Sequence, residues 1–265
     1  MYYIWKEWKE NIRGKGLWIA CSVIVIVSIS MLFQASVMSY DQGFYVLILN
    51  LFDTLIYFLP ILSLFLGAFS IFQEKEQKTL IMLLTKQESF MSFLWKKSIG
   101  VQAVLLTPLI IWFFVYLVPL KFFFEINFSG YFLFLLALIT LMMVFTQIGL
   151  FIGSFCRSRM QIVGFTIFVW FYFFFLHDFA LLSYLPNVTY ENVKVFSVFF
   201  FLNPIPAVRM FLESGLGVYS FGHMSKLLQS FMWTKPGLFL CGNFVVWMVF
   251  PFVFAVLFHR KEGVE

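Results

Sequence analysis

The residues able to do chemistry are few and scattered. The chain of 265 residues holds three histidines, His177, His223 and His259, all far apart. An intramembrane zinc hydrolase needs two histidines one helical turn apart beside a glutamate, the HExxH arrangement, and none is present. A glycine-rich loop of the form GxxxxGK[ST] would cradle nucleotide phosphates, and it too is missing, so ATP hydrolysis would have to come from another polypeptide. Cys21, Cys156 and Cys241 show no CxxC spacing and read as small apolar residues rather than a disulfide or thiolate cage. The twelve methionines are dispersed; only Met142 and Met143 adjoin, and neighbours on a helix point in different directions. Soft ligands must cluster to select copper, so no metal site is expected, with His223-Met224 the nearest approach to one. His177-Asp178 is the only adjacent ionisable pair inside a long apolar run. A carboxylate is costly in lipid, so Asp178 either lines a wet or protein-walled cavity or sits near headgroups at a helix end, and both readings stand. Glu125 and Asp53 read as charges near the membrane surface.

The elements that must position these residues are plain. Apolar runs occupy roughly Leu17–Met38, Leu51–Phe72, Ser98–Leu120, Tyr131–Phe155, Gln161–Tyr184 and Pro236–Phe258. Each has about the 20 residues that carry a helix across a ~30 Å hydrocarbon core. Lipid offers free backbone groups no partner, which leaves helices or closed barrels. Barrel strands alternate apolar and polar residues, and these runs do not. Hydrophobic residues make up 62% of the chain and charged ones 12%, about half the ~25% usual in soluble domains. The 40 phenylalanines need no cofactor to explain them, since lipid accepts aromatic surface. The sequence predicts an all-α membrane protein of six spans, forming a single transmembrane domain over residues 1–265. A secondary transporter would show inverted repeats and polar residues at mid-membrane, and neither is evident.

Charge sets the orientation. Thirteen of the eighteen Lys and Arg residues fall at the N-terminus, in the second-to-third connection, at Arg157 and Arg159, or at the C-terminus. The positive-inside rule therefore predicts both termini in the cytoplasm. The net charge of +5 is accounted for by that bias, so nucleic acid is not an expected partner. Residues 1–16 are expected to form an interfacial helix, with Tyr2, Trp5, Trp8 and Ile12 opposite Lys6, Lys9 and Arg13. The first apolar run is too long for a typical signal-peptide core, so it is read as a retained span.

Two connections are too substantial for turns. In the cytoplasmic segment 73–97, six polar residues precede Thr79 and the apolar block Leu80–Leu84, and Ser89 precedes Phe90. Thr and Ser satisfy exposed amides at helix starts, so a short surface helix and a capped start to the third span are expected. In the external segment 185–235, the run Val195–Leu202 is too short to span and ends at Asn203-Pro204, before a helix-like stretch Ala207–Leu212. That pattern predicts a re-entrant or interfacial helix pair.

On these features the chain resembles the permeases of ABC-2 type transporters. Glu74-Lys75-Glu76-Gln77-Lys78-Thr79-Leu80-Ile81-Met82-Leu83-Leu84 is similar to the family's E-x-E-x-G-T-L-x-x-L-L, with Lys78 where the family carries Gly. The resemblance implies that Glu74, Glu76, Lys78, Thr79, Leu80, Leu83 and Leu84, with Arg157 and Arg159 on the same side, couple to a separate cytoplasmic ABC ATPase. It also implies a second copy of the chain as partner and ATP with Mg on the ATPase, with no cofactor bound by this chain. Val169–Leu182 and Leu202-Asn203-Pro204, followed by Arg209 and Ser214-Gly215, resemble the NosY-type permeases that serve copper-site assembly of nitrous oxide reductase. Pro206 stands where that subgroup tends to carry an acidic residue. This narrower resemblance implies a multi-pass protein of the cell membrane with an extracytoplasmic copper-maturation partner. A general ABC-2 exporter of a drug, peptide or lipid is the alternative.

Overall fold

The computed structural model describes residues 5, 7–9, 14–36, 40–77, 89–217 and 231–262. All six apolar runs are helices, and no strand occurs among the described residues. They comprise α1 (Lys15–Ala35), α2 (Tyr40–Glu76), α3 (Phe90–Phe123), α4 (Phe128–Phe155), a fifth span that begins as α5 (Arg159–Phe171), and later α9 (Pro236–Glu262). The fifth span passes through a π-helical turn (Tyr172–Leu176) into α6 (His177–Tyr184) and a 3-10 turn ending at Asn187.

Local chemistry sets the helix starts. Ser89 Oγ accepts from Ser92 N at 3.2 Å, Asn127 Oδ1 from Gly130 N at 3.2 Å, and Ser158 Oγ from Gln161 N at 3.2 Å. Each satisfies an amide that has no partner in the first helical turn. Inside the spans, hydroxyls turn back on their own helix: Ser28 Oγ donates to Ile24 O at 2.6 Å and Thr166 Oγ1 to Ile162 O at 2.7 Å. Such bonds remove polar groups from lipid.

α4 forms the axis of the bundle; 72% of its most apolar window is buried, against 11% for the fifth span. Its closest partner is α2. A Cβ added at Gly149 would stand 2.4 Å from Leu64 O, and one at Gly153 would stand 2.3 Å from Ala68 O. In return, a Cβ at Gly67 would stand 2.6 Å from Thr146 O. Only glycine permits that backbone approach, the small-residue packing used where lipid removes the hydrophobic drive between helices. Leu64, Leu138, Leu141 and Phe145 belong to the buried core that these two helices share with the rest of the bundle.

One boundary differs from expectation. α2 starts at Tyr40 rather than Leu51 and runs on to Glu76, because Asp41, Gln42 and Asn50 at one end and Gln73, Glu74 and Glu76 at the other lower hydropathy without breaking a helix. α3 begins at Phe90 behind the cap of Ser89, as expected, so both ends of segment 73–97 belong to spans. Only the middle of that segment connects them, and the expected helix at 80–84 lies outside the described residues.

The pair expected in segment 185–235 consists of α7 (Val193–Leu202) and α8 (Pro204–Gly215), bent by 101° at Asn203. Its break lies inside the bundle. Leu202 meets Asn243 and Trp247, seven and eleven residues into α9, which is roughly 10–16 Å below the start of that helix. Past α8 the chain comes back to Leu216, beside Gly130 near the start of α4. The pair therefore enters and leaves at the same end, a re-entrant hairpin rather than a seventh crossing.

Candidate functional site

Polar contacts gather at the two ends of the bundle. At the end rich in Lys and Arg, α2 finishes and α3 begins beside the N-terminal helical residues 7–9. Lys97 is 1% exposed, and its ammonium lies 2.5 Å from Glu7 Oε1 and 3.1 Å from Glu74 Oε1. Ser70 Oγ donates to Glu7 Oε2 at 3.5 Å. Two carboxylates and an ammonium from three separate elements are thus removed from solvent together. Such a cluster holds only with tight geometry, because desolvation of each ion offsets most of the Coulomb attraction. Next to it, Lys75 Nζ donates to Ser154 O in the last turn of α4, where the helix dipole favours a cation. On the outside of this layer Arg159 Nη2 donates to both carboxylate oxygens of Glu76 at 2.8 Å, and both side chains stay exposed.

The opposite end is organised around the break between α7 and α8. Asn203 is buried and serves three elements. Its Oδ1 accepts from Ile205 N at 3.0 Å, capping α8, and its Nδ2 donates to Phe173 O at 2.8 Å, in the π-helical turn. The same Nδ2 lies 3.1 Å from His177 Nδ1, while His177 Nε2 lies 3.1 Å from Phe199 O. The tautomer protonated at Nε2 satisfies both contacts: Nε2–H donates to Phe199 O, and Nδ1 accepts from Asn203. Pro204 cannot continue the amide ladder, so the last carbonyls of α7 need donors from elsewhere. His177 supplies one; Asn243 Nδ2 supplies Phe201 O and Leu202 O at 2.8 Å each, and Trp247 Nε1 also reaches Leu202 O at 2.8 Å. Non-helical backbone at membrane depth is tolerated when protein satisfies it in this way. Arg209 then ties α8 to α2, with Nη2 donating to Asp53 Oδ1 at 2.8 Å and Nε to Glu213 Oε1 at 3.0 Å.

The expected residues therefore divide. Glu74 turns into the bundle, not toward a docking surface; Glu76 and Arg159 remain on the surface. Lys78, Thr79, Leu80, Leu83, Leu84, His223 and Met224 lie outside the described residues. His177, Asn203 and Pro204 come together at the hairpin break. Asp178, half exposed, lines a cavity with Arg209. Asp53, read from sequence as a surface charge, is instead the partner of Arg209 across 156 positions. Among the described residues no group of three or more His, Cys, Asp or Glu is placed to hold a metal ion. Glu7 and Asn243 were not singled out by sequence, and Lys97 only as a charge that sets orientation. Gly149 and Gly153 carried a readable signal, a GxxxG spacing inside an apolar helix.

A search of curated proteins returns no match. The family described as "ABC-2 family transporter protein" matches residues 1–263, nearly the whole chain. Six apolar helices and this match make the chain a multi-pass membrane protein, and the family implies an ABC ATPase as its partner. The chain belongs to the ABC-2 transporter family, as a membrane permease subunit.

Proposed function

We propose that the Lys/Arg-rich end faces the cytoplasm, receives an ATPase at the segment between α2 and α3, and passes its movement to the re-entrant hairpin. The observation that carries this reading is the buried Glu7–Lys97–Glu74 cluster. It joins the N-terminal helical residues to both helices that flank the docking segment, so a push there moves α2, α3 and the N-terminal residues as one body. Asp53–Arg209 then links α2 directly to α8, which gives the movement a route to the far end.

The client favoured by this reading is the copper-site assembly of nitrous oxide reductase, acting through an extracytoplasmic maturation partner. Its support is the resemblance of Val169–Leu182 and of Leu202 through Gly215, two stretches that contact each other through Phe173, His177 and Asn203. Whether a copper species, a sulfur species or force alone is delivered does not alter the test. Deleting the gene should leave the reductase made and exported but short of copper, with other exported enzymes unaffected. A deletion strain with fully metallated reductase that accumulates a drug or lipid would replace this client with the general exporter. That second reading has one observation in its favour, the apolar cavity beside α6.

A further inference from the structure

Where α6 passes α7 and α8 the protein leaves a cavity of about 520 Å³, within the ~300–1,000 Å³ usual for small-molecule sites. Leu181, Leu185, Val193 and Phe200 form its walls, and Asp178 and Arg209 are its charged groups. Among the described residues nothing closes it. No residue of α6 is buried, and Leu182 and Leu185 are 62% and 51% exposed. A wall of this kind beside a bilayer offers water too few polar partners to fill the space.

The two charges differ in what they still lack. Arg209 is answered by Asp53 and Glu213. Asp178 has a single contact among the described residues, His177 Nδ1 at 3.4 Å, and the ring nitrogens of His177 are already engaged by Asn203 and Phe199. The charge left to answer at the rim is therefore a carboxylate, set on a membrane helix where a carboxylate is costly without a cation.

We propose that this cavity holds one bilayer lipid with a primary ammonium head, of the phosphatidylethanolamine class, from the leaflet opposite the Lys/Arg-rich end. An acyl chain fills the apolar walls, and the ammonium donates to Asp178. A primary ammonium brings three N–H donors, which a quaternary choline head lacks, and an anionic head is repelled by the carboxylate. The site does not depend on which client the permease serves.

The test is native mass spectrometry of the purified protein after equilibration with equal amounts of phosphatidylethanolamine, phosphatidylcholine and phosphatidylglycerol carrying identical acyl chains. The wild type should retain one phosphatidylethanolamine per chain through detergent stripping. Asp178→Asn should lower the ethanolamine-to-glycerol ratio by roughly two- to fivefold, the scale of one exposed charge pair. Leu185→Trp, which fills the cavity from an exposed position, should remove the retained lipid while melting like the wild type. Equal retention by Leu185→Trp would mean annular lipid only and would overturn the proposal. So would a head preference unchanged by Asp178→Asn, or a retained molecule that is not a lipid.

Discussion

Replacing Lys97 with methionine is the sharpest perturbation of the Lys/Arg-rich end. Methionine matches the length of the lysine stem but removes the ammonium that lies 2.5 Å from Glu7 and 3.1 Å from Glu74. All three side chains are nearly inaccessible to solvent, so the exposed-pair figure of ~0.2–1 kcal/mol does not apply. Removing one partner of a buried ion cluster costs about 3–5 kcal/mol, because the opposite charges stay in a poorly solvating place. For a chain of this size ~1 kcal/mol moves the melting temperature by about 2–4 °C, so Lys97→Met should lower it by roughly 6–20 °C. Removing the charges as well should reverse most of the loss. A triple variant, Glu7→Gln, Glu74→Gln and Lys97→Met, keeps the volumes and removes all three charges of the cluster, and such neutral replacements are often close to neutral in stability. The assay is fluorescence-detected thermal unfolding in detergent, with Arg159→Ala as the exposed control, expected to shift by no more than a few degrees. A Lys97→Met protein that melts with the wild type, or a triple variant as unstable as the single one, would refute the reasoning.

Three further outcomes follow from the same geometry. Gly149→Val should sharply reduce folded yield, since its Cβ would meet Leu64 O at 2.4 Å, whereas Gly164→Ala, with nothing within 4 Å, should be tolerated; size-exclusion yield reads both. Asn203→Ala removes the cap of α8, worth ~1 kcal/mol, together with the donor to Phe173 O, so amide exchange should rise in Tyr172–Leu176 and the first turn of α8 but not in α4. With the native cysteines removed, Asn187→Cys should label with an impermeant thiol reagent from outside intact cells and Gln77→Cys should not; the reverse pattern would invert the proposed orientation.

The spans were legible because six apolar runs of sufficient length leave a helix as the way to satisfy their backbones in lipid. The hairpin was legible too: a run too short to cross, stopped by Asn203-Pro204, has few other options. Its role as a hydrogen-bonded break was not, because Asn243 and Trp247 lie about 40 positions further on and look like ordinary span residues. The charge cluster was hidden for a related reason. Lys96 and Lys97 are equivalent as topology signals, and only the packing of α3 turns Lys97 inward, toward Glu7, which lies 90 positions away. Glu74 and Glu76 show the same limit. One polar stretch continues a helix, and a separation of two residues puts one carboxylate inside and the other on the surface.

The central claim is that an ATPase docks at the Lys/Arg-rich end, and co-purification tests it most directly. Glu74 is unsuitable for this purpose, because its substitution would disturb folding. Glu76→Lys combined with Leu83→Asp changes one exposed residue and one from the family's docking motif, and leaves the buried cluster intact. The tagged variant should insert and melt like the wild type while the ATPase that accompanies the wild-type chain is lost. An ATPase recovered in wild-type amount with this variant would contradict the account.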